Sequence, residues 1–400
     1  MKNILIICQC ATNKGDRAIA EYLISKISNE NTSVTLSTTD PSLWSGRTDI
    51  NVIGTGYRSL FKPSRSKFIQ KACHEITSLF YSLFVYPELI KPNSKKYFCR
   101  KISGEFISKL KEADTVIVTG GHHITSIRNK NALFAITYDI GLAAVYSRRY
   151  ILWSQTIGPL EFTDNLAKTF FADVIKKAEY VFIRDENSKN CLKNLIGSGY
   201  NNIKKTYDSV FGFGSYDYTP WEQRKNKVGI SIFNGLKKAF DTYPAIAKLL
   251  DYYALNGYDI EFFRMEHNDK ELQDINHVIG LMTVKANVII YPFETTANEH
   301  LKEISECRYF IGYKTHSVIM ALTTATPLIG ICYHSKTRDF MADYGLSEYA
   351  VDDTALDTEN LIRLADKLSQ NADEIHLSMK NISKAQALAV ENDIRKVTDE

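Results

Sequence analysis

The 400-residue chain lacks any run of the roughly 18 apolar residues that a membrane-spanning helix requires. Its opening segment, Lys2-Asn-Ile-Leu-Ile-Ile-Cys8, is too short and too β-branched for a secretory signal, so a protein made and kept in the cytoplasm is expected. An excess of one charge is missing too: 49 Lys and Arg stand against 46 Asp and Glu, and a net of +3 points to no particular partner. Seven cysteines are scattered, several inside apolar strands, where the residue acts as a small hydrophobe. Cys8-x-Cys10 has no second pair at zinc spacing, so no metal site is expected and a reducing compartment fits.

What is present is an ordinary globular balance of 44% apolar and 24% charged residues, in a chain long enough for two cores. Short β-branched runs alternate with helix-period segments. Strands are expected at 4–7, 33–36, 49–53, 115–118, 151–154, 181–184 and 203–207, with helices at 16–28, 133–147, 163–178 and 186–195. A polar, unpatterned stretch over 216–227 reads as a linker. The alternation then resumes, with strands at 228–233, 259–265, 287–291, 309–312, 328–333 and 350–352 and helices between them. Near-continuous apolar strands in βαβ order mean parallel sheets covered on both faces. The expected fold is therefore α/β, two Rossmann-like domains facing a central cleft in a GT-B-like layout. The first would span 1–215 and the second 228–375, with a helical tail over 376–400.

Residues 57–112 resist this scheme. Twelve Lys or Arg and three Glu lie between Arg58 and Lys111, a local excess of nine positive charges, around the apolar run Leu79-Phe-Tyr-Ser-Leu-Phe-Val-Tyr86. One or two inserted amphipathic helices are expected. They would pack on the sheet edge or meet an anionic membrane surface. A nucleic-acid partner is not expected, because no recognition motif accompanies the charge.

Five strand ends carry candidate chemistry. In Asn13-Lys-Gly15-Asp16-Arg-Ala18, Gly15 permits a tight turn. Asp16 reads as a helix cap, or as a carboxylate for a hydroxylic ligand or proton transfer; it would repel a phosphate. Gly120-Gly121-His122-His123 offers bare backbone to a ligand, or simply a tight turn. In Ser154-Gln155-Thr-Ile-Gly-Pro159, Gln155 reaches for the cleft or the loop merely stops the strand. Arg184, ending the buried strand Val181–Arg184, must bind an anion or pair with Asp185 or Glu186. Gly312-Tyr-Lys314-Thr-His316-Ser317 brings a cation, an imidazole and a hydroxyl to a helix amino terminus, all favourable to an anion. His316 can also transfer a proton near neutral pH.

Taken in order, these motifs resemble the polysaccharide pyruvyl transferase family, as do Ala325-Thr-Pro-Leu-Ile-Gly-Ile331, Tyr333-His-Ser-Lys336, Phe340 and Gly345-Leu346. The resemblance runs from residue 3 to about 350. It implies transfer of pyruvate from phosphoenolpyruvate to a sugar of a cell-surface polysaccharide or its lipid-linked precursor, as a cyclic ketal. No cofactor or metal is implied. Partners would be phosphoenolpyruvate and a glycan or lipid-linked oligosaccharide, with the protein cytoplasmic or peripheral at the inner membrane face. By position Arg184 corresponds to the family's donor-binding Arg, and His316 to the active-site His of Arg-x-His-Ser. Asp16 would assist the acceptor hydroxyl. Lys314, Ser317, Gly120, Gly121, Gln155, Asn13 and Gly15 would line the substrates. Two positions depart from the pattern: Lys314 stands for the usual Arg and loses its fork, and His122 replaces a third glycine. A nucleotide-sugar glycosyltransferase on the same architecture, and a non-enzymatic glycan-binding role, are the competing readings.

Overall fold

The computed structural model describes residues 1–61, 66–91, 93–127, 130–162, 165–197, 199–216, 218–233, 239–333 and 335–398. The chain divides into two compact units. One holds Met1–Ala11, Leu23–Asp208 and Ile394–Glu400; the other holds Thr12–Tyr22 and Ser209–Asp393.

Strands of the first unit are β1 (Lys2–Gln9), β2 (Thr32–Thr38), β3 (Asn51–Gly54), β4 (Thr115–Val118), β5 (Gly121–Ile124), β6 (Tyr150–Ile157), β7 (Val181–Ile183) and β8 (Ile203–Lys205). They pair in parallel in the order β3-β2-β1-β4-β6-β7-β8, with β5 alongside β6. The helices of this half of the chain are α1 (Lys14–Ile27), whose first turns count with the second unit, α2 (Lys67–Phe80), α3 (Tyr86–Ile90), α4 (Tyr97–Glu112), α5 (Lys130–Tyr146), α6 (Asn165–Lys177) and α7 (Glu186–Ile196). Ile4–Ile7 of β1 and every residue of β6 are buried, as a sheet covered on both faces demands. The chain's end closes this unit: Lys2 Nζ donates to the Thr398 carbonyl at 3.1 Å and Arg149 Nη1 to that of Val397 at 3.4 Å.

The second unit contains β9 (Lys225–Ile230), β10 (Asp259–Phe263), β11 (Val288–Tyr291), β12 (Cys307–Gly312), β13 (Leu328–Cys332) and β14 (Ala350–Asp352). Around them lie α8 (Ala239–Leu255), α9 (Asp269–Leu281), α10 (Ala297–Glu306), α11 (Thr315–Thr323), α12 (Ser335–Asp343), α13 (Thr358–Gln370) and α14 (Ala372–Thr398). The parallel order β11-β10-β9-β12-β13-β14 is the 3-2-1-4-5-6 order of dinucleotide-binding folds. In such sheets ligands sit beyond the carboxyl ends of the strands where the order reverses, here between β9 and β12 and, in the first unit, between β1 and β4.

Local differences from expectation have physical causes. β6 does not stop at Ser154 but runs to Ile157, because β5 pairs with its far end. Gly120-Gly121 is therefore not a free turn; Gly121 opens β5. The stretch read as a linker holds a short helical turn, Trp221–Gln223, and ends as β9, with Asp217 outside the described residues. Arg224 is buried there because its guanidinium donates to the carbonyls of Cys307 and Thr324 and to Thr326 Oγ1 at 2.8–3.3 Å. The insertion holds three helices, α2 to α4, with a π-type turn, Tyr81–Val85, joining the first two. Its Lys62 and Arg65 lie outside the described residues, as does His334 of the later motif. No helix among the described residues is long and apolar enough to cross a membrane.

Candidate functional site

The sequence-derived residues fall into two groups, one in each unit. In the first, β6 carries a bulge at Ser154, whose φ is 50°. The left-handed backbone is costly for a serine and re-aims its side chain. Ser154 Oγ donates to the Tyr207 carbonyl at 2.9 Å and accepts from Arg184 Nε at 3.0 Å. Arg184 Nη1 then pairs with Asp208 at 2.6 Å. Asp208, rather than Asp185 or Glu186, is thus the partner of Arg184. Asp185 instead caps α7 by accepting from Ser188 N at 2.7 Å, while Ser188 Oγ accepts from Ile157 N. Arg184 Nη2 is buried with no hydrogen-bond partner among the described residues. It lies over Gly120, where an added Cβ would stand 2.7 Å from it. Gly120 thus gives the guanidinium room.

Gln155 does not reach outward. It is fully buried, and its Nε2 donates to the carbonyls of Val118, Thr119 and Trp153, tying β4 to β6. Its Oε1 and Thr119 Oγ1 are buried without partners among the described residues. Together with Arg184 Nη2 they leave unmet hydrogen-bonding capacity around the β4 and β6 ends, an arrangement suited to a polar ligand or ordered water. His122 Nε2 lies 2.7 Å from the Gly158 carbonyl.

In the second unit, residues some 300 positions apart in sequence meet. Asn13, not Asp16, caps α1, accepting from the amides of Gly15 and Asp16 at 2.9 and 3.2 Å. Asp16 sits three residues past that position and is buried in the first turn. The segment pairs with the end of β10: Asn13 bridges Glu266, Lys14 N donates to the Met265 carbonyl, and His267 N to that of Thr12. Lys14 is fully buried, and its ammonium donates to the carbonyls of Phe293 and Thr295. Burial pushes it down to about 7, against the pull of Glu21. Arg17 and Glu21 complete the anchor, Glu21 accepting from Ala297 N at 2.6 Å.

This anchor sets Gly15 against the imidazole of His316. A Cβ added at Gly15 would come 2.0 Å from His316 Cγ, so only glycine permits the approach. His316 lies in the first turn of α11, whose cap position, Lys314, makes no side-chain cap; its carbonyl accepts from Ser317 N and Val318 N at 2.9 and 3.1 Å. Lys314 itself is buried and pairs with Glu266, which also accepts from Asn268 Nδ2 at 2.6 Å. Burial raises the carboxyl of Glu271, which receives the Met265 and Glu266 amides. Ser317 faces inward, fully buried: its hydroxyl lies 2.5 Å from Ser231 Oγ and donates to the Lys314 carbonyl. Ser231 in turn accepts from Tyr313 N and so fixes the strand-to-helix turn. Ser317 thus builds the turn on which His316 stands.

Gly15→Ala would push the imidazole aside while leaving α1 intact. A displacement of about 1 Å in a reacting group costs on the order of 100-fold in rate. Turnover should fall by that order with an unchanged circular dichroism spectrum, and near-normal turnover would show that His316's seat on Gly15 is immaterial.

The family profile for polysaccharide pyruvyl transferase matches residues 13–335, most of the chain. The chain belongs to the polysaccharide pyruvyl transferase family. Family membership makes it a transferase acting on polysaccharide. Among curated proteins, none matches it in sequence. Solved structures are similar over its whole length. The UDP-GlcNAc 2-epimerase from Neisseria meningitidis bound to UDP-GlcNAc has a TM-score of 0.59 at 12% identity, covering 100% of both chains. The MnaA–UDP structure from S. aureus reaches 0.57 at 12% identity, over 99% of this chain and 96% of that one. Spinosyn rhamnosyltransferase SpnG with thymidine diphosphate reaches 0.55 at 11% identity, over 99% and 100%. At such identities the likeness concerns fold alone, and the GT-B-like pair of Rossmann-like domains is what this pyruvyl transferase family member shares with them.

Proposed function

We propose that the protein moves pyruvate from phosphoenolpyruvate to a sugar of a cell-surface polysaccharide or its lipid-linked precursor, forming a cyclic ketal. The observation that carries this reading is His316, seated on Gly15 in the uncapped first turn of α11. There an imidazole stands at the positive end of a helix, and the donor needs both a proton and an anion site. His316 protonates the methylene carbon of the enol ether, making the adjacent carbon electrophilic. A sugar hydroxyl attacks that carbon, its proton passing to Asp16, and phosphate leaves. The second hydroxyl then attacks the same carbon and closes the ketal, its proton returning to His316. Arg184, with its buried unused Nη2, is the donor-binding cation of the first unit. Lys314, neutralised by Glu266, sets the turn and contributes less charge than a lone cation would. No metal or organic cofactor enters this scheme.

The test is phosphate release from phosphoenolpyruvate with a panel of sugar acceptors and product masses recorded. The reading expects phosphate together with an acceptor gain of one pyruvate less water. A second reading, a nucleotide-sugar donor, is favoured by the diphosphate ligands of the similar structures. It predicts no phosphate release, and thermal protection by a nucleoside diphosphate instead.

A further inference from the structure

Helix α2 is inside out. Thr77, Ser78 and Tyr81 are buried, whereas Phe68, Ile69, Ile76, Leu79, Leu83 and Phe84 are exposed, Phe68 by 82% and Leu79 by 57%. At 100° per residue these six fall on one side of α2 and its π-type continuation, opposite the buried polar three. Tyr81 and Val85 of the continuation also join the hydrophobic core on the inward side. The inward side is fixed by specific bonds. Thr77 Oγ1 accepts from Leu60 N at 3.3 Å, and the Tyr81 hydroxyl accepts from Arg58 N at 3.0 Å and donates to the Arg58 carbonyl. The outward apolar face is therefore a built feature of the unit, and continuous apolar patches of this kind mark contact with a non-aqueous phase or a partner.

Its surroundings say which. Ring contacts at 5.3–6.0 Å continue the patch from Phe80 and Phe84 through Phe98 to Tyr97, itself exposed. Lys101 Nζ stands 5.9 Å over the Tyr97 ring. Lys71, Lys91, Lys95 and Arg100 are exposed on the same insertion. Three of its four acids are engaged at home: Glu88 accepts from Phe98 N and Cys99 N, Glu105 pairs with Arg58 and Glu112 with Lys109, while Glu75 stands exposed on α2. Aromatic and aliphatic side chains rimmed by cations match the boundary between acyl chains and anionic headgroups. A second copy of this chain would bring a second excess of nine positive charges to the same contact.

We propose that the outward face of α2 and the π-type turn, with the start of α4, docks the protein on a membrane surface rich in anionic lipid. The docking rests on this patch alone and does not require the proposed donor. The full-length protein should co-sediment with vesicles of phosphatidylcholine and phosphatidylglycerol, less so as salt is raised, and weakly with phosphatidylcholine alone. The exposed pair Phe68→Glu/Leu79→Glu should weaken binding on the order of 100-fold. Lys71→Glu/Lys101→Glu should weaken it about tenfold or more, on anionic vesicles only. Leu388→Glu, equally exposed on α14, should change nothing. Wild-type protein that ignores anionic vesicles, or a Phe68→Glu/Leu79→Glu variant that binds them as before, would overturn the proposal. So would a dimer in sedimentation velocity that this variant alone splits, with vesicles unbound, for the face would then belong to a second copy.

Discussion

Replacing His316 by Gln should leave a folded protein whose transfer rate is lower by roughly 10²–10⁴-fold, the usual share of a general acid. Gln keeps much of the ring's volume and can still hydrogen-bond, so the Gly15 contact and the first turn of α11 should survive. What it removes is the transferable proton. The loss should therefore fall on kcat, with donor KM changing little, because the positive end of the helix remains. The rate should also lose the limb of its pH profile that reports the acid. A variant within a few-fold of the parent, or one that loses only donor affinity, would assign the proton to another group.

Arg184 should behave differently. Arg184→Lys keeps a cation beside Asp208 but gives up the fork, so Ser154 Oγ and Asp208 can no longer be held at once with a third donor to spare. Donor KM should rise by about 10- to 100-fold, with each lost charge-assisted bond worth roughly 1.5–3 kcal/mol. Arg184→Ala goes further. It strands a carboxylate whose side chain has 0% exposure, and breaking a buried pair in this way costs about 3–5 kcal/mol of stability. Arg184→Ala/Asp208→Asn should regain much of that stability without regaining donor binding. If Arg184→Lys binds donor normally, Arg184 is a structural pair to Asp208 and nothing more.

The architecture was legible because buried parallel strands announce themselves. Ile4–Ile7, Thr115–Val118 and Leu328–Cys332 lie where their apolar runs put them, and the helices between differ from expectation by a residue or two, save α5, which begins three residues early. The second strand of the Gly-Gly motif was not legible. Gly121-His-His-Ile124 has neither a β-branched run nor clean alternation, and only its pairing to β6 makes it extended. Motif positions were legible too, but not their partners. Asp208 lies 24 residues beyond Arg184, and Glu266 lies 48 before Lys314, separations at which no local pattern signals an ion pair. Ser154 could have been suspected only from its backbone, since φ is invisible in sequence. Gln155 and Ser317 looked like ligand contacts because polar residues at strand ends often are. Here the tight turn engages the Ser317 hydroxyl, while Gln155 spends its Nε2 on tying β4 to β6 and keeps its Oε1 open. Lys14 gave no hint, as a lysine between a cap and a glycine reads as surface, and it proves to be the fully buried anchor of the segment.

Each unit is assembled from distant parts of the chain, and this has a consequence in time. The second unit contains residues from the first turns of α1, and the first unit contains the end of α14. A ribosome that has released residue 208 has therefore not yet supplied Val397 and Thr398, whose carbonyls receive Arg149 and Lys2. Meanwhile Lys14 waits for Phe293 and Thr295 with its charge unburied. The first unit cannot finish during synthesis of its own main stretch, whereas the second finds Thr12–Tyr22 already made when Ser209–Asp393 emerges. The half made first is thus the last to close, and any truncation near the end of α14 strikes it.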